Sequence, residues 1–306
     1  MPADLIRLGK KCNQNCLFCT VADDDEVELS INEIKKKIEF IAKNGSGNLA
    51  FTGGEPTLRN DFFEILKFAE EKGIKNIELQ TNGVMLANSK FSKRLKNIKL
   101  SGILIAFHSH KKDINNKITQ TRLFEKQLTG LKNSLKINTH IAVSHVINSL
   151  NYKYLPEFSR YIFGLSPKIQ HYYGFVRPNG NASKNKWIVP KLSEVEVYLE
   201  KTMRYCKNNQ IDFVVEGVPL CYMQGYEKHC AETQRLNSKV RYDASDGSEH
   251  ENLHEFIHKK LKIKSDVCEI CFLKKYCVGV WREYEKIYGT DELYPVFTRF
   301  DKKTIF

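Results

Sequence analysis

Nine cysteines stand in the 306-residue chain, and six of them fall into two tight triplets. Cys12, Cys16 and Cys19 form C-x3-C-x2-C, and Cys268, Cys271 and Cys277 form C-x2-C-x5-C. Cys206, Cys221 and Cys230 stand apart. Spacings this short bring several thiolates onto one small object, a metal ion or a metal cluster. The count is odd, and the N-terminus lacks the charged start, apolar run and small-residue cleavage site of a signal peptide. Both argue against a disulfide framework. Structural zinc is the plain alternative. Zinc sites usually draw four ligands from paired C-x2-C or C-x2-H elements. The first triplet has no fourth Cys nearby, and the nearest His is His108. Three thiolates suit an iron–sulfur cluster that keeps one iron open.

Contiguous ligands that wrap a cube-shaped cluster must sit on irregular backbone, so the surrounding elements matter. Leu5–Gly9 reads as a strand leading into the first triplet. Ser30 with Glu33 is a capping box opening a helix over Ile31–Ala42. Strands then follow over Asn48–Thr52, Ile74–Thr81, Gly102–Phe107, Asn138–Ile147 and Lys168–Phe175. Helices are read over Asp61–Lys72, Ser89–Asn97, Thr121–Leu135 and Tyr154–Ile162. Six strands alternating with helices imply right-handed βαβ units and an α/β fold with a parallel sheet. Residues at the C-terminal ends of such strands share one mouth. Those ends carry the Cys loop, Gly53-Gly54-Glu55-Pro56, Gln80-Thr81-Asn82-Gly83 and His108-Ser109-His110.

C-x3-C-x2-C with Phe18 before the last Cys resembles the signature loop of the radical S-adenosylmethionine (radical SAM) enzymes. Gly53-Gly54-Glu55-Pro56, directly after a strand, resembles that family's second hallmark. The resemblance covers roughly residues 5–180 and implies a partial (β/α)6 barrel. It implies a [4Fe–4S] cluster on Cys12, Cys16 and Cys19, its fourth iron chelated by S-adenosylmethionine. It places Gly53, Gly54 and Glu55 at the methionine amino group. By family position, Asn82, His108, Ser109, Ser144 and Asn148 would meet ribose or carboxylate, and the backbone of Val176 the adenine. Family members often carry Ser on the fourth strand, where Ala106 stands, which puts the ribose contact in doubt. The implied chemistry is reductive cleavage of S-adenosylmethionine to a 5′-deoxyadenosyl radical that takes a hydrogen atom from a substrate.

Beyond residue 190 the pattern changes. A helix over Leu192–Asn208 and a strand over Ile211–Val218 precede Pro219-Leu220-Cys221, and Asn237–Asn252 reads as an exposed loop. The second triplet resembles part of the auxiliary-cluster extensions called SPASM or twitch domains. Position 281 is Trp where a two-cluster SPASM domain would have another Cys, so one auxiliary [4Fe–4S] cluster is expected. Its ligands would be Cys221, Cys268, Cys271 and Cys277, with Cys230 the alternative to Cys221 and zinc the alternative metal. Residues 1–190 would then be the barrel and 191–306 the auxiliary domain. Cys206, inside a helix, reads as a buried thiol. His254-Glu255-Phe256-Ile257-His258 fits H-E-x-x-H, a zinc hydrolase pattern. That reading leaves both Cys triplets and the βα alternation unexplained, so the segment is taken as a solvated or packing helix.

Composition bounds the rest. The chain is 42% hydrophobic and 27% charged, with no apolar run long enough to span a membrane. A cytoplasmic protein is expected. The net charge is 48 − 36 = +12, from lysines scattered along helices, and no RNA-binding motif accompanies it. No nucleic-acid or membrane partner is expected. Family members with such extensions often modify peptides, so a ribosomal-peptide maturase activity is the leading expectation. Oxidation of a small molecule or modification of an RNA nucleoside is the alternative, and a non-catalytic metal-binding protein the distant one. The first strand begins near Leu5, which leaves no room before it for a leader-recognition domain. The expectation is then a peptide delivered by a separate protein, a peptide recognised by the C-terminal region, or a small molecule, with a flavodoxin or ferredoxin as electron donor. His108, His110, His171, Tyr172 and Tyr173, near strand ends, are candidates to line the substrate cavity.

Overall fold

The computed structural model describes residues 3–22, 28–235, 242–243, 249–250 and 252–297. Six strands are seen where the sequence places them: β1 (Asp4–Arg7), β2 (Asn48–Thr52), β3 (Asn76–Thr81), β4 (Leu100–Ala106), β5 (His140–Ile147) and β6 (Gln170–Phe175). A seventh, β7 (Phe213–Glu216), pairs parallel with β6 and continues the order β7-β6-β5-β4-β3-β2-β1. The partial barrel thus has seven parallel strands rather than six. The strand read over 211–218 belongs to this sheet, although it lies beyond residue 190. The sheet adds it because α8 (Leu192–Asn208) packs back on α6 (Leu155–Leu165), completing one more crossover.

The helices form for ordinary reasons. In α1 (Ile31–Asn44) the Ser30 Oγ accepts from Glu33 N at 3.3 Å and Glu33 Oε2 accepts from Ser30 N at 2.8 Å. The 3.6-residue period then buries Ile34, Ile38 and Ile41. Helix α2 spans Phe62–Glu71, α3 Ser89–Leu95 and α5 Phe124–Ser134. Between β4 and α5 lies α4 (Lys112–Thr119), which the sequence reading lacks. Its buried residues are Asn115, Ile118 and Thr119, so its inward side is largely polar. It is held instead by buried Asn115, whose Oδ1 accepts from His108 N and whose Nδ2 donates to Gln127 Oε1 at 2.8 Å. A four-residue turn of helix, α7 (Asn181–Lys184), follows β6.

Alternation along the strands divides the sheet into two faces. Ile6, Phe51, Leu79, Ile105, Val143 and Val215 are at most 1% exposed in the core under the helices. Thr52, Gln80, Ser144, Tyr172 and Glu216 are half-buried on the other face.

Part of the polar stretch read as a loop adds to the sheet edge. β8 (Tyr242–Asp243) pairs parallel with β1 at Leu5 and Ile6, and β9 (Glu249–His250) pairs back on β8. The rest of that stretch up to residue 251 lies outside the described residues. The C-terminal part contains α9 (Ala231–Gln234), α10 (Leu253–Phe256), and β10 (Lys262–Ile263) antiparallel to β11 (Val280–Trp281). Helix α11 (Arg282–Tyr288) follows. Lys262 and Glu232, both buried, join this hairpin to the sheet edge at 3.4 Å, and Glu232 accepts from Gly217 N at 2.8 Å. Among the described residues no helix is long and apolar enough to cross a membrane.

Candidate functional site

The first cysteine triplet follows β1 on irregular backbone, and four other segments hold its shape. Gly54 N donates to Gly9 O at 2.7 Å and Glu55 N to Lys11 O at 2.8 Å. Asn15 N and Leu17 N donate to Thr119 O and Ile118 O at the end of α4, at 3.1 and 2.9 Å. After β6, Asn181 donates from its backbone to Cys19 O and from Nδ2 to Cys16 O, both at 2.9 Å. After β3, Asn82 Nδ2 donates to Asn13 Oδ1 at 2.6 Å and lies 3.8 Å from Cys12 Sγ.

Burial pushes the Cys16 thiol up, and the charges of Cys19 and Cys12 push it further. Burial also raises Cys12, where Glu55 and Cys19 add to the effect. Two thiols so raised beside a third are a donor set that cationic metal would neutralise. Among the described residues no three Cys, His, Asp or Glu groups close to the spacing of a single ion. Three thiolates are one short of zinc's usual four protein ligands and suit a cluster that keeps one iron open.

The two glycines make room for neighbouring backbone. A Cβ on Gly53 would stand 2.5 Å from Gly9 O, and one on Gly54 would stand 2.3 Å from Lys10 O. The close approach they permit is to the backbone that leads into the Cys loop. Gly54→Ala should accordingly displace residues 9–11. We expect it to cost about 3 kcal/mol, the upper range for an inserted methyl, read as a lowered unfolding midpoint. An unchanged midpoint would show that the loop yields freely.

Glu55 is 3% exposed. Its carboxylate accepts from Thr57 N and Thr57 Oγ1, from Thr81 Oγ1 at 2.7 Å and from Asn82 N at 2.6 Å. Burial raises its pKa while these donors oppose the rise. The carboxylate thus ties the end of β2 to the end of β3.

The remaining expected residues divide. Phe18 packs edge-on against His108 at 4.9 Å, and His108 Nδ1 accepts from Val146 N. Burial pushes His108 down to about 3, so its ring is neutral. Ser144 lies half-buried opposite Ala106, on the face away from the helices. Ser109, Asn148 and Val176 are at most 1% exposed. Ser109 Oγ accepts from Lys111 N, and Asn148 bonds Val146 O and Leu150 N in its own turn. Val176 N donates to Ile147 O.

Of the residues read as cavity lining, His110 stacks on Tyr161 of α6, and His171 and Tyr173 point into the helix layer. There His171 Nδ1 meets Ser159 Oγ and Tyr173 OH. A strand alternates its faces, so Tyr172 points the other way and accepts from Arg235 at 3.2 Å. Sequence reasoning missed Gly180 and Asn181. A Cβ on Gly180 would lie 2.2 Å from Cys19 O, and its φ is +53°. The Asn-Gly-Asn run after a strand was the available signal. It also missed Gln127, which donates to Asn82 O at 3.0 Å.

The second triplet and Cys221 line one cavity, which spans about 320 Å³ up to open solvent. Burial, then Cys277 and Cys268, push the Cys221 thiol up to about 12. Val296 N lies 3.3 Å from Cys271 Sγ, and Gly279 N 3.4 Å from Cys277 Sγ. Cys230 is elsewhere, bridged to Val215 beside β7, with its Sγ 3.4 Å from Glu232 Oε2. Cys206 is buried in α8 against Ser159. In the H-E-x-x-H segment α10 ends at Phe256 and a π turn runs over Ile257–Leu261. Glu255 there pairs with Lys259, and its backbone N–H is capped by Asn252.

The sequence profile of the Radical SAM superfamily matches residues 6–162. A probable GTP 3′,8-cyclase of Sulfurisphaera tokodaii is 32% identical over 133 residues, covering 43% of this chain and 42% of that one. The Fe-coproporphyrin III synthase of Methanosarcina barkeri is 28% identical over 214 residues, 66% of this chain and 52% of that one. The chain therefore spans about half the length of these curated relatives. Two solved structures share the fold at 16% identity. Streptococcus suis SuiB bound to precursor peptide SuiA has a TM-score of 0.67, covering 97% of this chain and 75% of that one. The anSMEcpe structure with AdoMet and Cp18Cys peptide has a TM-score of 0.68, covering 95% of this chain and 91% of that one. With the profile spanning half the chain, and the cysteine loop and Gly-Gly-Glu-Pro turn locked together inside it, this protein belongs to the radical SAM superfamily.

Proposed function

We propose that this chain modifies a peptide substrate, holding one [4Fe–4S] cluster on Cys12, Cys16 and Cys19 and an auxiliary one on Cys221, Cys268, Cys271 and Cys277. When bound, the first cluster and S-adenosylmethionine supply a 5′-deoxyadenosyl radical that takes a hydrogen atom from the substrate. The observation that carries this reading is the single cavity lined by Cys221, Cys268, Cys271 and Cys277. It lies just past β7, and all seven barrel strands run parallel. Their C-terminal ends, and so both cysteine sets, fall on one side of the sheet. Gly53 and Gly54 hold the Cys loop, and Glu55 and Asn82 tie it to β3. The strand ends around Ser144 and His108 would border S-adenosylmethionine, and the polar face bearing Tyr172, Glu216 and Arg235 would meet the substrate. An external flavodoxin or ferredoxin would deliver the electron.

The peptide assignment is supported by fold likeness that runs through the C-terminal part, in proteins solved with peptides bound. Sequence identity with the GTP 3′,8-cyclases favours a second reading, a nucleotide substrate. Anaerobic reconstitution tests both readings. About eight irons per chain, with 5′-deoxyadenosine released on adding dithionite and S-adenosylmethionine, is the expected result. Zinc in place of iron, with no cleavage, would refute the enzyme. Several-fold stimulation of 5′-deoxyadenosine release by GTP would replace the peptide with the nucleotide.

A further inference from the structure

The cavity around Cys221, Cys268, Cys271 and Cys277 is closed on one side by the run Leu293–Val296. Three of the four thiols come from one compact stretch. Cys221 comes from elsewhere, on the single 3-10 turn Leu220–Met223. One turn of helix holds itself weakly, so something outside the turn must hold it in place.

Tyr294 meets Cys221 from both sides. Its backbone N–H faces the thiol. Its phenol donates to the Cys221 carbonyl at 2.6 Å. The same oxygen lies 3.0 Å from Oε1 of Glu196 on α8, a second acceptor for its one proton, and the shorter contact is the one to Cys221. Its ring stands edge-on to Tyr222 at 5.4 Å, whose own hydroxyl donates to Glu292 O at 2.6 Å. Cys230 has no such link to the cavity.

We propose that Tyr294 is a positioning residue that fixes the Cys221 turn, so that this thiol rather than Cys230 is the fourth ligand to the auxiliary cluster. This rests on the auxiliary-cluster reading above.

The test uses the full chain with Cys12, Cys16 and Cys19 replaced by Ala and reconstituted anaerobically, so that only the auxiliary site is observed. Tyr294→Phe keeps the ring against Tyr222 and removes only the hydroxyl. Iron loss to a chelator should then be about tenfold faster, the low end of what an outer hydrogen-bond partner of a metal ligand contributes. The electron paramagnetic resonance signal of the dithionite-reduced cluster should shift as well. A tyrosine with only a packing role would lower the melting temperature and leave that signal alone. Tyr222→Phe, which removes the neighbouring hydroxyl, should leave the signal as in the parent. Unchanged iron loss and an unchanged signal in Tyr294→Phe would overturn the positioning role. Parent-level iron retention in Cys221→Ala would instead overturn the ligand assignment.

Discussion

Cys16→Ala, reconstituted anaerobically, should form no 5′-deoxyadenosine above the enzyme-free background and bind about four irons rather than about eight. The variant isolates the thiol. The backbone of residue 16 keeps its partners whatever the side chain, since its carbonyl accepts from Cys19 N at 3.0 Å and from Asn181 Nδ2 at 2.9 Å. Asn15 N and Leu17 N, on either side, stay anchored to α4. The loop should therefore keep its course, and only one of three ligands is lost. Cleavage at the parent rate would refute the assignment of the first triplet.

Acid should unfold the chain in a defined window. His108, His145 and His171 are at most 3% exposed. Burial depresses all three, His108 to about 3 and His171 to about 4, with His145 well below its ordinary value. Neither ring nitrogen of His145 makes a hydrogen bond of ordinary geometry, nor does His171 Nε2. The sign follows from which state binds protons. Below pH ~6.5 the unfolded chain protonates these rings and the folded chain does not, so stability is fully present above that pH. It is lost as pH falls toward the folded values, at up to about 4 kcal/mol per pH unit for three groups. Against a total of about 5–15 kcal/mol, unfolding near pH 5 is expected. His145→Phe keeps a ring against Phe158, now 4.1 Å from the His145 ring. It should reduce the slope of stability against pH by about a third. Melting temperatures at pH 7.5, 6.5 and 5.5, parent against variant, check this. Parallel curves would sink it.

Residues whose role shows in type and spacing were legible. The triplets, the capping box at Ser30 and the apolar strands read directly, because ligand spacing and hydrophobic period are local properties. Helix α4 was not legible. Its stability comes from Asn115 bonded to His108 N and Gln127, partners that only the fold brings together. The facing of His171 and Tyr173 was also hidden, since a period of two leaves open which side of the sheet a strand turns inward. Gly53 and Gly54 were found, but their packing on residues 7–11 was not legible. A sequence shows that a Cβ is absent, and only packing shows what occupies its place. Cys221 was preferred to Cys230 from the sequence, but that it shares a cavity with the second triplet was not legible, because both cysteines lie in the same stretch of chain.

The shape of the Cys loop is braced by amides and carbonyls from the ends of β2, β3, β6 and α4. The course of the loop is therefore shared with the barrel itself, and a disturbance at any one of those four ends would be felt at all three thiols.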